Sequence, residues 1–140
     1  MARKYNLEAI LAAESHLAIQ GEICGPGIQG NKLGLKEKEL FVFDVQDVSA
    51  GRYFDLCDLV DFCVLNKLTT VPAAALGNAF DLTPDEMLQM AEGKYINTSN
   101  EREGLVFRPQ VEVIDPSLPT DNKRLSMKVI SNGFLLKEKD

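Results

Sequence analysis

The chain has 140 residues, 45% apolar and 26% charged, with a formal net charge of −6. That length suits one compact domain burying roughly two-thirds of its unfolded surface. The acidic balance argues against a nucleic-acid binder that works through a basic surface alone, though not against an enzyme with a small basic site on an acidic body.

Leu7, Ile10 and Leu11 stand at helical spacing and predict a short helix over 3–14. "LAIQGEI" (17–23) alternates as a strand, with Leu17, Ile19 and Ile23 on one face and Gln20 and Glu22 on the other. "GPGIQG" (25–30) then matches G-x-G-x-x-G, the pattern that cradles a dinucleotide pyrophosphate. That fingerprint needs a helix directly after the glycines. "NKLGLKEKEL" follows instead, with Gly34 in its middle, and Pro26 removes a backbone N–H from the loop. The dinucleotide reading is therefore rejected, and the glycines are read as permitting a tight, close-packed turn beside a site. The lysines of 32–40 and of "KEKD" (137–140) are mixed with glutamate and read as solvated faces.

"ELFVFDV" (39–45) is a near-continuous apolar strand, on which Phe41 and Val45 are assigned the face of Phe43. "FDLCDLVDFCVLNKL" (54–68) predicts an amphipathic helix with Leu56, Leu59, Val60, Cys63 and Val64 buried. Asp55, Asp58 and Asp61 at i, i+3, i+6 follow its wet side rather than forming a ligand cluster. "TPDEMLQMAEG" (83–93) carries Thr83 as cap, Pro84 at the first helical position, Glu86 to complete a capping box and Gly93 as terminator. "EGLVFRPQVEV" (103–113) predicts a strand with a bend at Pro109, and "SLPTDNK" (117–123) a loop. "RLSMKVIS" (124–131) predicts a strand with Ser126 and Lys128 on one face, then a turn at "NG" (132–133) and a return strand at "FLLK" (134–137). The sum is an α+β fold with mainly antiparallel sheets and flanking helices, in a single domain over 1–140.

No run of about 18 apolar residues predicts a transmembrane helix. Glu8 and Glu14 break up what would be a signal-peptide core, so a cytoplasmic location is expected. Cys24, Cys57 and Cys63 form no C-x-x-C pair and are expected to be buried reduced thiols. His16 is the sole histidine, which excludes a metal site built on several imidazoles. "NTS" (97–99) reads as a polar loop.

Four strands carry an isolated charge in an apolar setting: Glu22, Asp44, Glu103 and Lys128. Such charges are costly unless paired or ligand-bound. Two readings stand: a shared polar cavity, or strand ends that each reach water.

In order, "LAIQGEICGPGIQGN", "LFVFDV", "EGLVFRP" and "SMKVISNGFLLK" resemble the later motifs of ATP-dependent RNA ligases, within the superfamily of covalent nucleotidyltransferases that includes DNA ligases and mRNA capping enzymes. "LFVFDV" is similar to motif III, "EGLVFRP" to motif IV and "SMKVIS" to motif V, and the resemblance runs from about residue 3 to 137. It implies part of an ATP-grasp-like nucleotidyltransferase ligase domain. It implies that Phe43 stacks on adenine, that Glu22 contacts ribose or helps hold a metal, and that Asp44 is structural or metal-linked. Glu103 would position Mg2+ or Mn2+ through water, Lys128 would neutralise the α-phosphate of ATP, and Arg108 would hold phosphate or the RNA end. Some relatives carry a second lysine two residues after the motif V lysine, where this chain has Ile130.

The family's chemistry runs through a lysine in motif I, K-x-D/N-G, which becomes lysyl-AMP before AMP moves to an RNA 5′-phosphate. None of the chain's lysines begins that tetrad; in "NKLGL" Lys32 is followed by Leu33 and Gly34. The expectation is the C-terminal portion of a ligase adenylyltransferase domain, inactive alone, whose partners are RNA ends and a missing N-terminal ligase segment. Open sheet edges add self-association to that expectation, and no membrane partner is expected. The alternatives are a non-catalytic nucleotide- or RNA-binding module derived from the ligase fold, and a structural protein that reuses the fold without a ligand.

Overall fold

The computed structural model describes residues 1–77 and 79–137, with Lys137 described by its backbone alone. The rest of the "KEKD" cluster lies outside the described residues. The chain forms two compact units, one of Met1–Asn31, Leu35–Pro72 and Gln110–Glu112, the other of Lys32–Gly34, Ala73–Pro109 and Val113–Asp140. No helix among the described residues is long and apolar enough to cross a membrane.

The first unit opens with helix α1 (Leu7–Ala13). It is shorter than the 3–14 that spacing predicts, because Asn6 adopts a left-handed conformation (φ 53°) and interrupts the helix before Leu7. Strands β1 (Leu17–Cys24) and β2 (Glu39–Asp47) pair antiparallel. β2 also takes β3 (Arg52–Tyr53) antiparallel and β4 (Thr69–Thr70) parallel. Helix α2 (Leu56–Leu65) covers the sheet. The core is Ile10, Leu40, Val42, Val45, Leu59, Cys63 and Leu68, with Leu17, Ile19, Phe54 and Phe62 packed on it. The turn after β1 is as tight as expected: Gly25 sits at φ 133°, and a Cβ there would lie 2.6 Å from the Glu37 carbonyl oxygen.

The buried stripe of α2 differs from the predicted one. Leu59 and Cys63 are buried, whereas Val60 and Val64 are exposed. Phe62 takes their place, stacked edge-on against Phe54 with centroids 6.0 Å apart. The buried stripe is rotated toward Leu59, Phe62 and Cys63, and Val60 and Val64, two residues either side of Phe62, lie on the opposite side of the helix. Asp58 and Asp61 face water, but Asp55 is half-buried and its Oδ1 accepts the Glu112 N–H at 2.7 Å. Of the thiols only Cys63 is buried, and burial pushes its pKa up; Cys57 is exposed, against expectation. Nor are the carboxylates of the 32–40 cluster simply solvated. Lys4 Nζ lies 2.9 Å from Glu37 and 3.2 Å from Glu39, and the Tyr5 hydroxyl donates to Glu39.

The second unit contains helix α3 (Pro84–Ala91), a two-stranded pair in which β5 (Gly104–Phe107) runs antiparallel to β6 (Met127–Ile130), and helix α4 (Asn132–Lys137). The capping box at Thr83 and Glu86 forms as the sequence predicts, and its hydrogen bonds hold the Glu86 carboxyl below its usual range. The predicted strand over 103–113 stops at Phe107. Arg108 precedes Pro109, which has no N–H for a ladder. The strand over 124–131 is confined to Met127–Ile130, with an isolated bridge between Ile114 and Arg124.

The return strand at 134–137 is replaced by α4. Its start is capped from far along the chain: the Glu92 carboxylate accepts the N–H groups of Asn132 (2.6 Å) and Gly133 (3.2 Å). The Ser131 hydroxyl accepts the Phe134 N–H at 3.2 Å. A cap 40 residues distant is invisible to local turn rules, so "NG" reads as a hairpin while the fold begins a helix there.

Candidate nucleotide site

In the first unit the site residues of β1 and β2 are arranged by a bulge. The register runs Ile19↔Val45, Gln20↔Asp44, then Gly21↔Val42 and Glu22↔Phe41, so Phe43 is the extra residue. A bulge shifts the side-chain alternation by one and re-aims the residues beside it. Leu40 and Val42 before it and Val45 after it consequently all enter the core. This corrects the sequence assignment of Val45 to the face of Phe43. Cross-strand pairing places Glu22 beside Phe41, and Gln20 beside Asp44, on the face opposite Val42 and Val45. Phe41 and Phe43 are half-buried and belong to neither the core nor its packing shell. Phe43, the extra residue of the bulge, is thus outside the core, against its reading as plain core packing. Asp44 is buried, 4% exposed, and Glu22 is exposed. Burial, then the Glu22 carboxylate, raises the pKa of the neighbouring Cys24 thiol.

In the second unit Glu103 and Lys128 are brought together as an ion pair. Glu103 stands just before β5 and Lys128 lies opposite Val106 on β6. The pair is drawn close by Gly104: a Cβ there would lie 2.0 Å from the Val129 carbonyl oxygen. No residue with a side chain fits, so the glycine of "EGLVF" is what lets β5 approach β6. Tyr95 Oη accepts the Glu103 N–H at 3.4 Å, and the Glu103 carbonyl accepts the Ser131 N–H at 2.8 Å. Arg108 Nε donates to Ser126 Oγ at 3.1 Å, which continues the register and sets Arg108 on the Lys128 face. Ile130, opposite Gly104, shares that face.

Two residues of this region escape sequence reasoning. Arg102 donates to the carbonyls of Ala91 (3.0 Å), Glu92 (2.7 Å) and Met90 at the end of α3. Glu92 itself binds Ser131 Oγ at 2.8 Å as well as the two amides of α4. Those hydrogen bonds, from Ser131 first and then Asn132, hold its carboxyl below the usual range. The one available signal was the adjacency of Arg102 to the Glu103 motif.

The carboxylates of Glu22 and Glu103 are hard oxygen donors, the kind that suits Mg2+ or Mn2+. Among the described residues no three or more His, Cys, Asp or Glu side chains gather around a common point. A divalent ion would therefore draw most of its shell from water and phosphate oxygens.

Comparison with known proteins returned no significant match among curated sequences. Among solved structures the chain is similar to a Naegleria gruberi RNA ligase with pyrophosphate, at 30% identity and TM-score 0.79, covering 99% of this chain and 40% of that one. A point variant of that ligase with ATP and Mn matches at 29% identity and TM-score 0.79, with the same coverage. Another with AMP and Mn matches at 31% and 0.75, again over 99% and 40%. The chain thus spans about two-fifths of the length of these ligases. The mixed helices and antiparallel pairs described above match the nucleotidyltransferase-like ligase domain. The RNA ligase family model matches residues 1–130, and the chain belongs to that family.

Proposed function

We propose that this chain supplies the nucleotide-facing part of an ATP-dependent RNA ligase that seals RNA 5′-phosphate and 3′-hydroxyl ends. Phe43 stacks on adenine, Glu22 meets the ribose or a metal, and Asp44 steadies that face of β2. Lys128 balances charge on the α-phosphate, and Arg108 binds phosphate or the RNA end. Mg2+ or Mn2+, held near Glu103 through water, would supply charge neutralisation at the phosphates. The observation that carries this reading is the ion pair between the motif IV glutamate and the motif V lysine across β5 and β6. It presents an anion-binding cation and a cation-binding carboxylate at one place.

The full reaction has three transfers. A lysine Nζ attacks the α-phosphorus of ATP and pyrophosphate leaves. An oxygen of the RNA 5′-phosphate then takes the adenylyl group and the lysine leaves. The 3′-hydroxyl finally attacks the 5′-phosphorus and AMP leaves. No lysine of these 140 residues begins K-x-D/N-G. The first transfer is accordingly assigned to an N-terminal ligase segment acting with this chain.

The test uses the chain with and without an upstream ligase segment bearing K-x-D/N-G, added in trans with radiolabelled ATP and Mn2+. The chain alone forms no covalent AMP adduct that survives denaturing gel electrophoresis. The mixture forms one, and substituting Lys128 by Ala abolishes it. If the chain binds ATP but never restores adduct formation, the non-catalytic binding module is the correct reading. An adduct on the chain alone refutes the assignment of the nucleophile.

A further inference from the structure

Resting on the assignment of Glu103 and Lys128 to the nucleotide site, we infer that Glu92 is a positioning residue that holds this pair in register by tying the end of α3 to the end of β6. The two sides of the pair are anchored separately. On the Glu103 side, the Arg102 guanidinium is spread over the last carbonyls of α3, and the Arg102 N–H donates to the Gly93 carbonyl at 2.9 Å. On the Lys128 side, the strand runs three residues to Ser131, which is fully buried. The Ser131 hydroxyl donates to Glu92 at 2.8 Å. Glu92 therefore belongs to both anchors: its carbonyl takes Arg102, and its carboxylate takes Ser131 and the first amides of α4. Ser131 closes the loop through its own N–H on the Glu103 carbonyl.

The physical need follows from size. β5 and β6 have four residues each, and a two-stranded pair this short is marginal by itself. A one-residue slip would send Lys128 to the other face. A carboxylate accepting three hydrogen bonds is a strong, directional tie, and this one fixes the point where Glu103 and Ser131 meet. Glu92 is distinct in this from a plain helix cap, which would act on α4 alone.

The experiment compares wild type with Glu92→Gln, Glu92→Asp and Ser131→Ala in the whole chain. The readouts are the NMR shifts of the Lys128 ε-methylene and ammonium, amide exchange at Ser131–Gly133 and in β5 and β6, and ATP titration with Mn2+. In E92Q the Lys128 side-chain signals move toward those of a solvated lysine, and exchange in β5 and β6 rises about tenfold. E92D, which keeps the charge, recovers part of both, and S131A moves Lys128 in the same direction. ATP affinity falls in parallel. If E92Q loses protection only at Asn132 and Gly133 while Lys128 is unmoved, Glu92 merely caps α4 and the inference is overturned. Should E92Q fail to fold, S131A decides alone: an unmoved Lys128 in S131A overturns the inference. Wild type that binds no ATP would refute the nucleotide-site assignment, while the Lys128 signals would still test the tie.

Discussion

Replacing Gly104 by Ala should unzip β5 from β6. A Cβ at this position lies 2.0 Å from the Val129 oxygen and 3.0 Å from Ile130 Cα. Ordinary contact needs over 3 Å, so the strands must part by more than 1 Å, which stretches neighbouring N–H···O bonds beyond bonding distance. Forced backbone shifts of this kind cost about 1–3 kcal/mol. The positive φ of 154° adds roughly 1–3 kcal/mol for a residue with a side chain. The total, about 4 kcal/mol, corresponds to a roughly thousandfold rise in local opening at about 1.4 kcal/mol per decade. Native-state amide exchange reads this directly: protection at Leu105, Phe107 and Val129 should collapse in G104A, while β1 and β2 keep theirs. Wild-type protection throughout β5 and β6 in G104A would refute the close-approach argument.

Phe43→Ala should weaken ATP binding about tenfold, since a base stacked on an aromatic ring gains about 1–3 kcal/mol, and should leave the thermal transition nearly unchanged because Phe43 stands outside the core. Equal loss of stability and affinity, by calorimetry, would return Phe43 to a packing role. The Glu92 tie should weaken in acid. Its carboxyl is held down by Ser131, Asn132 and Gly133, with Arg102 also favouring the charge, and Glu101 Oε2 lies near the same turn, 3.8 Å from where a Cβ on Gly133 would stand. A lowered folded pKa means the contribution is present above the ordinary glutamate range and is lost as pH falls through the lowered value. The Ser131 and Gly133 amide shifts, followed from pH 7 downward, should therefore titrate below the normal glutamate midpoint; a midpoint at or above it would contradict the hydrogen-bond geometry.

Much of the scaffold is legible because it is locally encoded. β1 announces itself by alternation, and the helix at 84–91 by its cap, proline and glutamate. The motifs also single out Glu103 and Lys128 one by one, although nothing in either segment states that the two touch. What is not legible is set by contacts distant in sequence. The bulge at Phe43 arises from the pairing of two strands, so β2 read alone misplaces Val45. The face of α2 that turns inward is set by Phe54, which packs against Phe62, and Val60 and Val64 on the opposite side are left exposed. Asn132-Gly133 begins a helix because Glu92 reaches it.

The Glu103–Lys128 pair carries one further consequence for ligand binding. Each group neutralises the other, so a phosphate that takes Lys128 leaves the Glu103 carboxylate able to face a divalent cation. Phosphate and metal binding should then be coupled, and linkage makes the coupling reciprocal. Such couplings typically reach about 1–3 kcal/mol, or roughly 5–150-fold. Chelation of Mn2+ by ATP in solution is common to every variant, so the informative quantity is the difference between wild type and Glu103→Gln. Calorimetric titration of ATP with and without Mn2+ should show the larger metal-dependent gain in wild type. E103Q should bind metal-free ATP at least as well as wild type, because Lys128 no longer has to leave a carboxylate. Were E103Q to keep the full metal dependence, Glu103 would be a structural partner of Lys128 and the metal would be held elsewhere.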